Sequence, residues 1–432
     1  MSEWKEYTLE NLCEDISYGY TESASSEPIG PKFLRITDIV PPCINWADVP
    51  YCKITDANYK KYKLEIGDIV IARTGATTGY NKTIKDNVDS VFASYLIRYK
   101  IDKSMACPFY IGFVLQSNSW YDYVDAIAGG SAQPGANAKQ LGSYEILLPP
   151  LPEQRAIASI LTSLDDKIDL LHRQNATLEK MAETLFRQWF VEKAKEEWEE
   201  KSFYECIELV GGGTPKTEIS EYWNGTIDWL SGGDITKNHK NFVISAEKTI
   251  TDLGLTNSST KLSPQYSTTI SARGTVGKYC LLAKPMTFSQ SNYGILPKYN
   301  KCFFFTYLLL SHSVDELLSA AYGCVFDTIT TNTFKGITVR VPNEKQIIDF
   351  EEKIKPYFKK MINNQSQIRT LTQLRDTLLP KLMSGEVAIC SSFFSGDNAD
   401  SADCVRNLSA RSALSPEKEK KPEKETPPHK KP

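Results

Sequence analysis

The sequence predicts an α+β protein in which two mainly-β globular domains alternate with two long helices that pair as an antiparallel coiled coil. Three observations predict it: an internal repeat, a sustained heptad pattern, and short strand-like runs bounded by glycine and proline. The repeat comes first, because a missed repeat misassigns a whole fold. Trp4-Lys5-Glu6-Tyr7-Thr8-Leu9 resembles Trp198-Glu199-Glu200-Lys201-Ser202-Phe203, and Leu34-Arg35-Ile36-Thr37-Asp38-Ile39 resembles Leu230-Ser231-Gly232-Gly233-Asp234-Ile235. Ile71-Ala72-Arg73-Thr74-Gly75 followed by Gly79 resembles Ser271-Ala272-Arg273-Gly274 followed by Gly277. Gly130 then matches Gly323, Leu148-Pro149 matches Val341-Pro342, and Glu153 matches Glu344, all in one order at offsets of 191 to 200 residues.

The elements follow in chain order. Residues 1–150 form the first globular domain, with strand signals at 67–73, 94–99 and 144–148 and a helical segment at 109–124. Residues 151–197 form the first helix. Its Ile157, Leu161, Leu164, Ile168, Leu171, Asn175, Leu178, Ala182, Leu185 and Trp189 alternate steps of four and three, which is a coiled-coil seam. Residues 198–342 repeat the globular pattern, with strands at 268–272 and 336–341 and a helix at 304–320. Residues 343–386 form the second helix, with Ile347, Ile354, Phe358, Met361, Gln365 and Ile368 on its seam and a kink expected at Pro356. Residues 387–432, rich in Ser, Asp and Asn and then in Lys, Glu and Pro, read as a disordered tail. Each seam carries one amide near its midpoint, Asn175 and Gln365, and antiparallel alignment of the helices sets these two within about a turn of each other. Either they form a buried pair that fixes the register, or each is solvated where the seam splays.

Composition narrows the functional classes. The 432 residues are 41% hydrophobic and 24% charged, enough for more than one packed core. The longest apolar run, at 302–310, is interrupted by Thr306 and is far shorter than the roughly 20 residues that cross a bilayer. The N-terminus is polar from the start, so a cytoplasmic location is expected. Ten cysteines without a C-x-x-C pair, beside four histidines, signal neither a zinc site nor a disulfide framework. Gly211-Gly212-Gly213-Thr214-Pro215-Lys216-Thr217 fails as a phosphate loop, since Pro215 stands where the last glycine is required. No H-E-x-x-H, G-x-S-x-G or Asn/Asp-Pro-Pro-aromatic motif occurs, so no catalytic role is expected. What remains is a binding architecture. A helix of 40 residues extends roughly 60 Å at about 1.5 Å per residue, enough to hold two reading heads one turn of B-DNA apart.

These residues resemble the specificity (S) subunits of type I restriction-modification systems, over residues 1 to about 385. The resemblance rests on the Trp-x-x-x-x-Leu/Phe openings, Gly213-Thr214-Pro215, the paired motifs at 34–39 and 230–235, and the Ala-Arg segments at 72–79 and 272–277. Pro149-Pro150-Leu151-Pro152-Glu153-Gln154-Arg155 and Leu379-Pro380-Lys381-Leu382-Met383-Ser384-Gly385-Glu386 add to it. The second spacer's opening, Pro342-Asn343-Glu344-Lys345-Gln346, departs from the proline-rich pattern, and the tail matches nothing in the family. The resemblance implies two target-recognition domains, each reading half of a split double-stranded DNA site, with the helical spacers docking methylation (M) subunits, two per complex, and restriction (R) subunits. No cofactor is expected in this chain; S-adenosylmethionine, ATP and Mg are implied on the partner subunits.

The candidate DNA contacts lie around the repeated motifs: Arg35, Arg73, Thr74, Lys82, Ser131, Gln133 and Lys139 in the first domain, and Lys216, Ser231, Asp234, Arg273, Lys278 and Thr330 in the second. Arginine bonds guanine bidentately and glutamine adenine, whereas lysines suit phosphate. Arg73 and Arg273 share a repeat position in this alignment, so phosphate clamping, an internal ion pair and base reading all stay open for them. Asp38 and Asp234 have turn capping as their competing role. The rival to a DNA reader is a coiled-coil adaptor with two protein- or glycan-binding domains. An enzyme of unrecognised type is the third reading.

Overall fold

The structure is a computed structural model, and it describes residues 4–41, 43–129, 135–322 and 328–387. Two compact units account for it, Met1–Thr162 with Leu378–Pro432, and Ser163–Thr377. Both long helices therefore contribute to both units. The C-terminal tail, apart from its first residue, lies outside the described residues.

In the first unit, an antiparallel four-stranded sheet runs in the order Cys13–Tyr18, Leu96–Ile101, Ile69–Ala72, Asn81–Thr83. A parallel pair, Lys32–Leu34 with Ser90–Phe92, stands beside it, and Lys5–Thr8 pairs antiparallel with Glu145–Leu148. The strand Ile69–Ala72 is buried on both faces, and its period of two divides two cores. Ile69 and Ile71 pack with Tyr110, Trp120 and Leu141, whereas Val70 and Ala72 pack with Leu34, Phe92 and Leu96. The helix expected at 109–124 is two helices, Pro108–Val114 and Asn118–Ala128, because Ser117 caps a fresh start through its bond from the Trp120 amide. Ile157 and Leu161 of the first long helix join this core together with Leu382 of the second.

The second unit repeats the plan. Its five-stranded sheet runs Ile207–Gly211, Asn292–Pro297, Thr268–Ser271, Tyr279–Leu282, Phe242–Val243, and a three-stranded sheet runs Lys248–Ile250, Trp223–Leu230, Thr287–Phe288. Glu199–Ser202 pairs with Thr338–Val341, as the corresponding strands do in the first unit. Tyr279 and Leu281 face one core, Cys280 and Leu282 the other. One helix, Phe303–Tyr322, covers the sheet.

The long helices span Leu151–Arg187, continued by a π-helical turn at Gln188–Glu192, and Glu344–Met383, continuous through Pro356 and Pro380. Within the second unit they run antiparallel: Asp165 meets Arg375 (3.0 Å), Ile168 and Leu171 pack on Ile368 and Leu371, and Phe186 and Phe190 pack on Phe350. Asn175 is buried on this seam, but its partner is Asn364 rather than Gln365. The Asn364 amide donates to the Asn175 side-chain oxygen (2.9 Å), and Asn175 donates in turn to the Met361 carbonyl (3.4 Å). Asn364 is fully buried, whereas Gln365 is half-buried, its Oε1 without a hydrogen-bond partner among the described residues. The coiled-coil seam thus selects the neighbour of the amide its heptad pattern indicated. Among the described residues, no helix is long and apolar enough to cross a membrane.

Each long helix also grips a globular domain by capping one of its helices. Gln154 accepts a hydrogen bond from the Cys107 amide (2.9 Å) at the start of Pro108–Val114, and Glu351 accepts from the Phe304 and Phe305 amides (3.2 and 2.8 Å) at the start of Phe303–Tyr322. Both satisfy donors that a helix N-terminus leaves unpaired.

Candidate nucleic-acid interface

In each unit a loop leaves a fully buried strand of the main sheet. In the first unit the strand ends at Ala72, and the chain turns through Arg73, Thr74 and a 3-10 turn at Gly75–Thr77. Four backbone hydrogen bonds fix it: Ala72 donates to Tyr80, Gly79 to Ala72, Arg73 to Tyr95, and Ala136 to Arg73. Gly75 has φ 77°, a left-handed conformation that glycine adopts without steric cost, and a Cβ there would meet nothing within 4 Å. The base of the loop is held by these bonds, and there is open space at its apex.

Arg73 does not reach freely from this loop. Its Nε donates to the Ser94 carbonyl (3.0 Å), and its guanidinium lies 5.1 Å from the centroid of Tyr18, whose hydroxyl in turn accepts from the Ala138 amide. Thr74 bridges Gly135, so the loop and the short helix Ala138–Gly142, which carries the exposed Lys139, belong to one surface. Tyr18 and Tyr95 are exposed beside it, Tyr95 to 59%. Lys82 is half-buried on the neighbouring strand Asn81–Thr83. Ser131 and Gln133 lie outside the described residues.

The second unit builds the same loop from the same bonds. Ser271 donates to Lys278, Gly277 to Ser271, Ala272 to Ser291, and Ile329 to Ala272. Gly274 has φ 78°, and a Cβ there would also meet nothing within 4 Å. This hydrogen-bond pattern corrects the repeat alignment. Ala272, not Arg273, occupies the Arg73 position; Arg273 corresponds to Thr74, and Gly274 to Gly75. The second loop is shorter by one residue between its two left-handed glycines, and matching the Ala-Arg letters shifted the register. Arg273 is exposed, and among the described residues no side chain pairs with its guanidinium. Lys278 lines a cleft of about 690 Å³ whose wall is mixed, with Lys180, Arg187 and Lys240 beside Glu183, Asp315 and apolar side chains such as Phe186 and Leu308. Lys216 is exposed in the loop before Trp223.

The other candidates are committed to the fold. Arg35 donates through Nε and a terminal nitrogen to both Asp38 oxygens (3.0 and 2.9 Å), and the Arg35 amide donates to the same carboxylate. Asp234, 5% exposed, accepts from the Ser231 amide, the Ser231 hydroxyl and the Glu247 amide. Ser231 and Asp234 therefore form a capping box on the helix Gly232–Lys237, which uses the Ser231 hydroxyl and the buried Asp234 carboxylate within the fold. Thr330 similarly caps Thr331–Lys335 by accepting from the Thr333 amide (3.4 Å). The sequence reading missed Tyr18 and Tyr95, whose signal is faint because single exposed aromatics are common on protein surfaces.

Comparison with known proteins follows this duplication. The family described as "Type I restriction modification DNA specificity domain" matches the chain twice, over residues 1–180 and 195–373. The chain is 23% identical to the HindI type I restriction enzyme specificity subunit of Haemophilus influenzae, covering 90% of this chain and 100% of that one. It is 28% identical to the MjaIX type I restriction enzyme specificity subunit of Methanocaldococcus jannaschii, covering 75% and 76% of the two chains. Among solved structures, the S subunit of a type I restriction-modification system from M. genitalium shares the fold with a TM-score of 0.56, at 16% identity and over 88% of this chain and 96% of that one.

Proposed function

We propose that this chain, which belongs to the type I restriction modification DNA specificity domain family, reads a bipartite double-stranded DNA site, one half with each globular domain. As a specificity subunit it targets the enzyme and is not the catalytic component. The observation that carries the reading is the duplicated loop: both units have the same hydrogen-bonded loop with an open apex at the end of a buried strand, and different side chains stand on it. Direct readout requires a fixed backbone bearing donors and acceptors that are not already used within the protein. Lys139, Lys216 and Lys278 suit phosphates, which position a reader without specifying sequence.

The paired helices serve as the docking surface for methylation and restriction subunits. Leu170, Met181 and Leu374 support this, being exposed apolar side chains on otherwise charged helices. S-adenosylmethionine, ATP and Mg belong to those partner subunits.

The test is to co-purify the chain with methylation subunits and titrate duplex DNA at several salt concentrations. Sequence-preferring, salt-dependent binding is expected. Binding of a protein or glycan with no salt-dependent affinity for DNA favours the adaptor reading instead.

A further inference from the structure

We infer that Thr74 and Arg273, which occupy the same position of the repeated loop, are corresponding base-reading residues, and that their difference makes the two half-sites differ. The inference rests on the DNA-reading function proposed above. Four matching backbone hydrogen bonds place Ala272 on Arg73 and Arg273 on Thr74. The preceding position is unsuited to reading in both copies: Arg73 is tied to Ser94 and lies against Tyr18, and Ala272 has no polar side chain. The following position is glycine in both, with φ 77° and 78° and open space where a Cβ would stand.

Between them, position 74/273 has a fixed backbone and a side chain with no hydrogen bond to any described residue. In the second unit the Ser271 hydroxyl donates to the Arg273 carbonyl (3.1 Å), while Thr275 accepts from Thr236 (2.7 Å), so both sides of Arg273 are braced. A guanidinium has five donors in a planar fork and matches the O6 and N7 acceptors of guanine; a threonine offers one hydroxyl and a methyl group, suited to other base edges. The same scaffold therefore reads guanine in one half-site and a different feature in the other.

The experiment uses the full chain in complex with its methylation subunits, and selects bound duplexes from a library randomised across the site. Wild type is compared with Arg273→Ala, Arg273→Lys and Thr74→Arg, each checked for an unchanged melting temperature, since both positions lie outside the core. Arg273→Ala is expected to cut the preference for one base pair of one half-site roughly 10- to 100-fold and to leave the other positions intact. Arg273→Lys is expected to relax the same base pair, because it keeps the charge and loses the fork. Thr74→Arg should change one position of the opposite half-site. If Arg273→Ala weakens all duplexes equally, or if Thr74→Arg leaves every preference unchanged, the assignment is overturned. If the wild-type complex enriches no sequence at all, it is the DNA-reading function that has failed.

Discussion

Arg73 and Asp234 show how a polar side chain beside a functional loop can be consumed by the fold. Arg73 has one bond to a backbone carbonyl and an aromatic ring beneath it, so Arg73→Ala removes a brace rather than a reader. We expect a loss of about 1 kcal/mol in stability and a uniform weakening for all DNA sequences, read by melting and by the same duplex selection. An altered base preference would return Arg73 to the reading surface. Asp234→Ala strips a buried acceptor from three donors and should cost roughly 1–3 kcal/mol without changing sequence preference in the folded fraction. The competition between capping and DNA contact at Asp234 was legible in the Leu-x-x-x-Asp-Ile spacing, because a carboxylate three residues after a cap position bonds back to it. The Arg73/Arg273 relation was not legible in the same way. Residue letters align side chains, whereas the repeat conserves left-handed glycines and backbone bonds, and the shorter second loop displaces one from the other.

The long helices show the same limit at the scale of an element. The heptad pattern correctly identified Ile168, Leu171 and Asn175 as seam residues, because a two-helix interface repeats every 3.5 residues. Further along it indicated Leu185 and Trp189, which pack partly buried against the core, while Phe186 and Phe190 beside them are buried more deeply. There the helix leaves a two-helix seam and enters a globular core with Phe305 and Phe350, which takes in a wider face of the helix than a two-helix seam does. Adjacent amides such as Asn364 and Gln365 cannot be distinguished by periodicity, only by reach. For the pair itself, Asn364→Leu leaves the buried Asn175 oxygen without its donor and should cost about 1–3 kcal/mol, while Asn175→Leu with Asn364→Leu should recover part of that loss. Additive losses in the double-mutant cycle would show that the two amides do not interact.

Glu351 adds a pH dependence to the second helix's grip. Burial pushes its carboxyl from 4.5 up to about 7, against the Phe304 and Phe305 amides that favour the charge. The unfolded chain loses this proton near the ordinary carboxylate value and the folded chain near 7, so between the two the folded state holds the extra proton. The stabilisation is then present at low pH and lost as pH rises through this window, by up to about 3 kcal/mol, levelling off above it. Glu351→Gln keeps an acceptor for the amides and removes the titration. Denaturant melts from pH 5 to 8 should therefore show a falling wild-type curve relative to the variant; parallel curves would sink this account.

At the scale of the whole molecule, charge decides how much of a DNA complex this chain can hold alone. With 50 basic and 53 acidic residues its formal net charge is −3, so the net charge supplies no long-range attraction to a duplex and phosphate neutralisation falls to local basic side chains. If Lys139, Lys216 and Lys278 are the phosphate contacts, the isolated chain should lose affinity with salt along a log–log slope of about −3, since each neutralised phosphate contributes roughly −0.9. If the methylation subunits proposed as partners close basic surfaces on the same duplex, they add counterion release of their own. The slope should therefore steepen when those subunits are added, and Lys278→Ala should make it shallower by about one in either state. Equal slopes for the isolated chain and the assembled complex would mean that the reader already carries the full electrostatic footprint, and that its near-neutral charge conceals a more basic face than these three lysines provide.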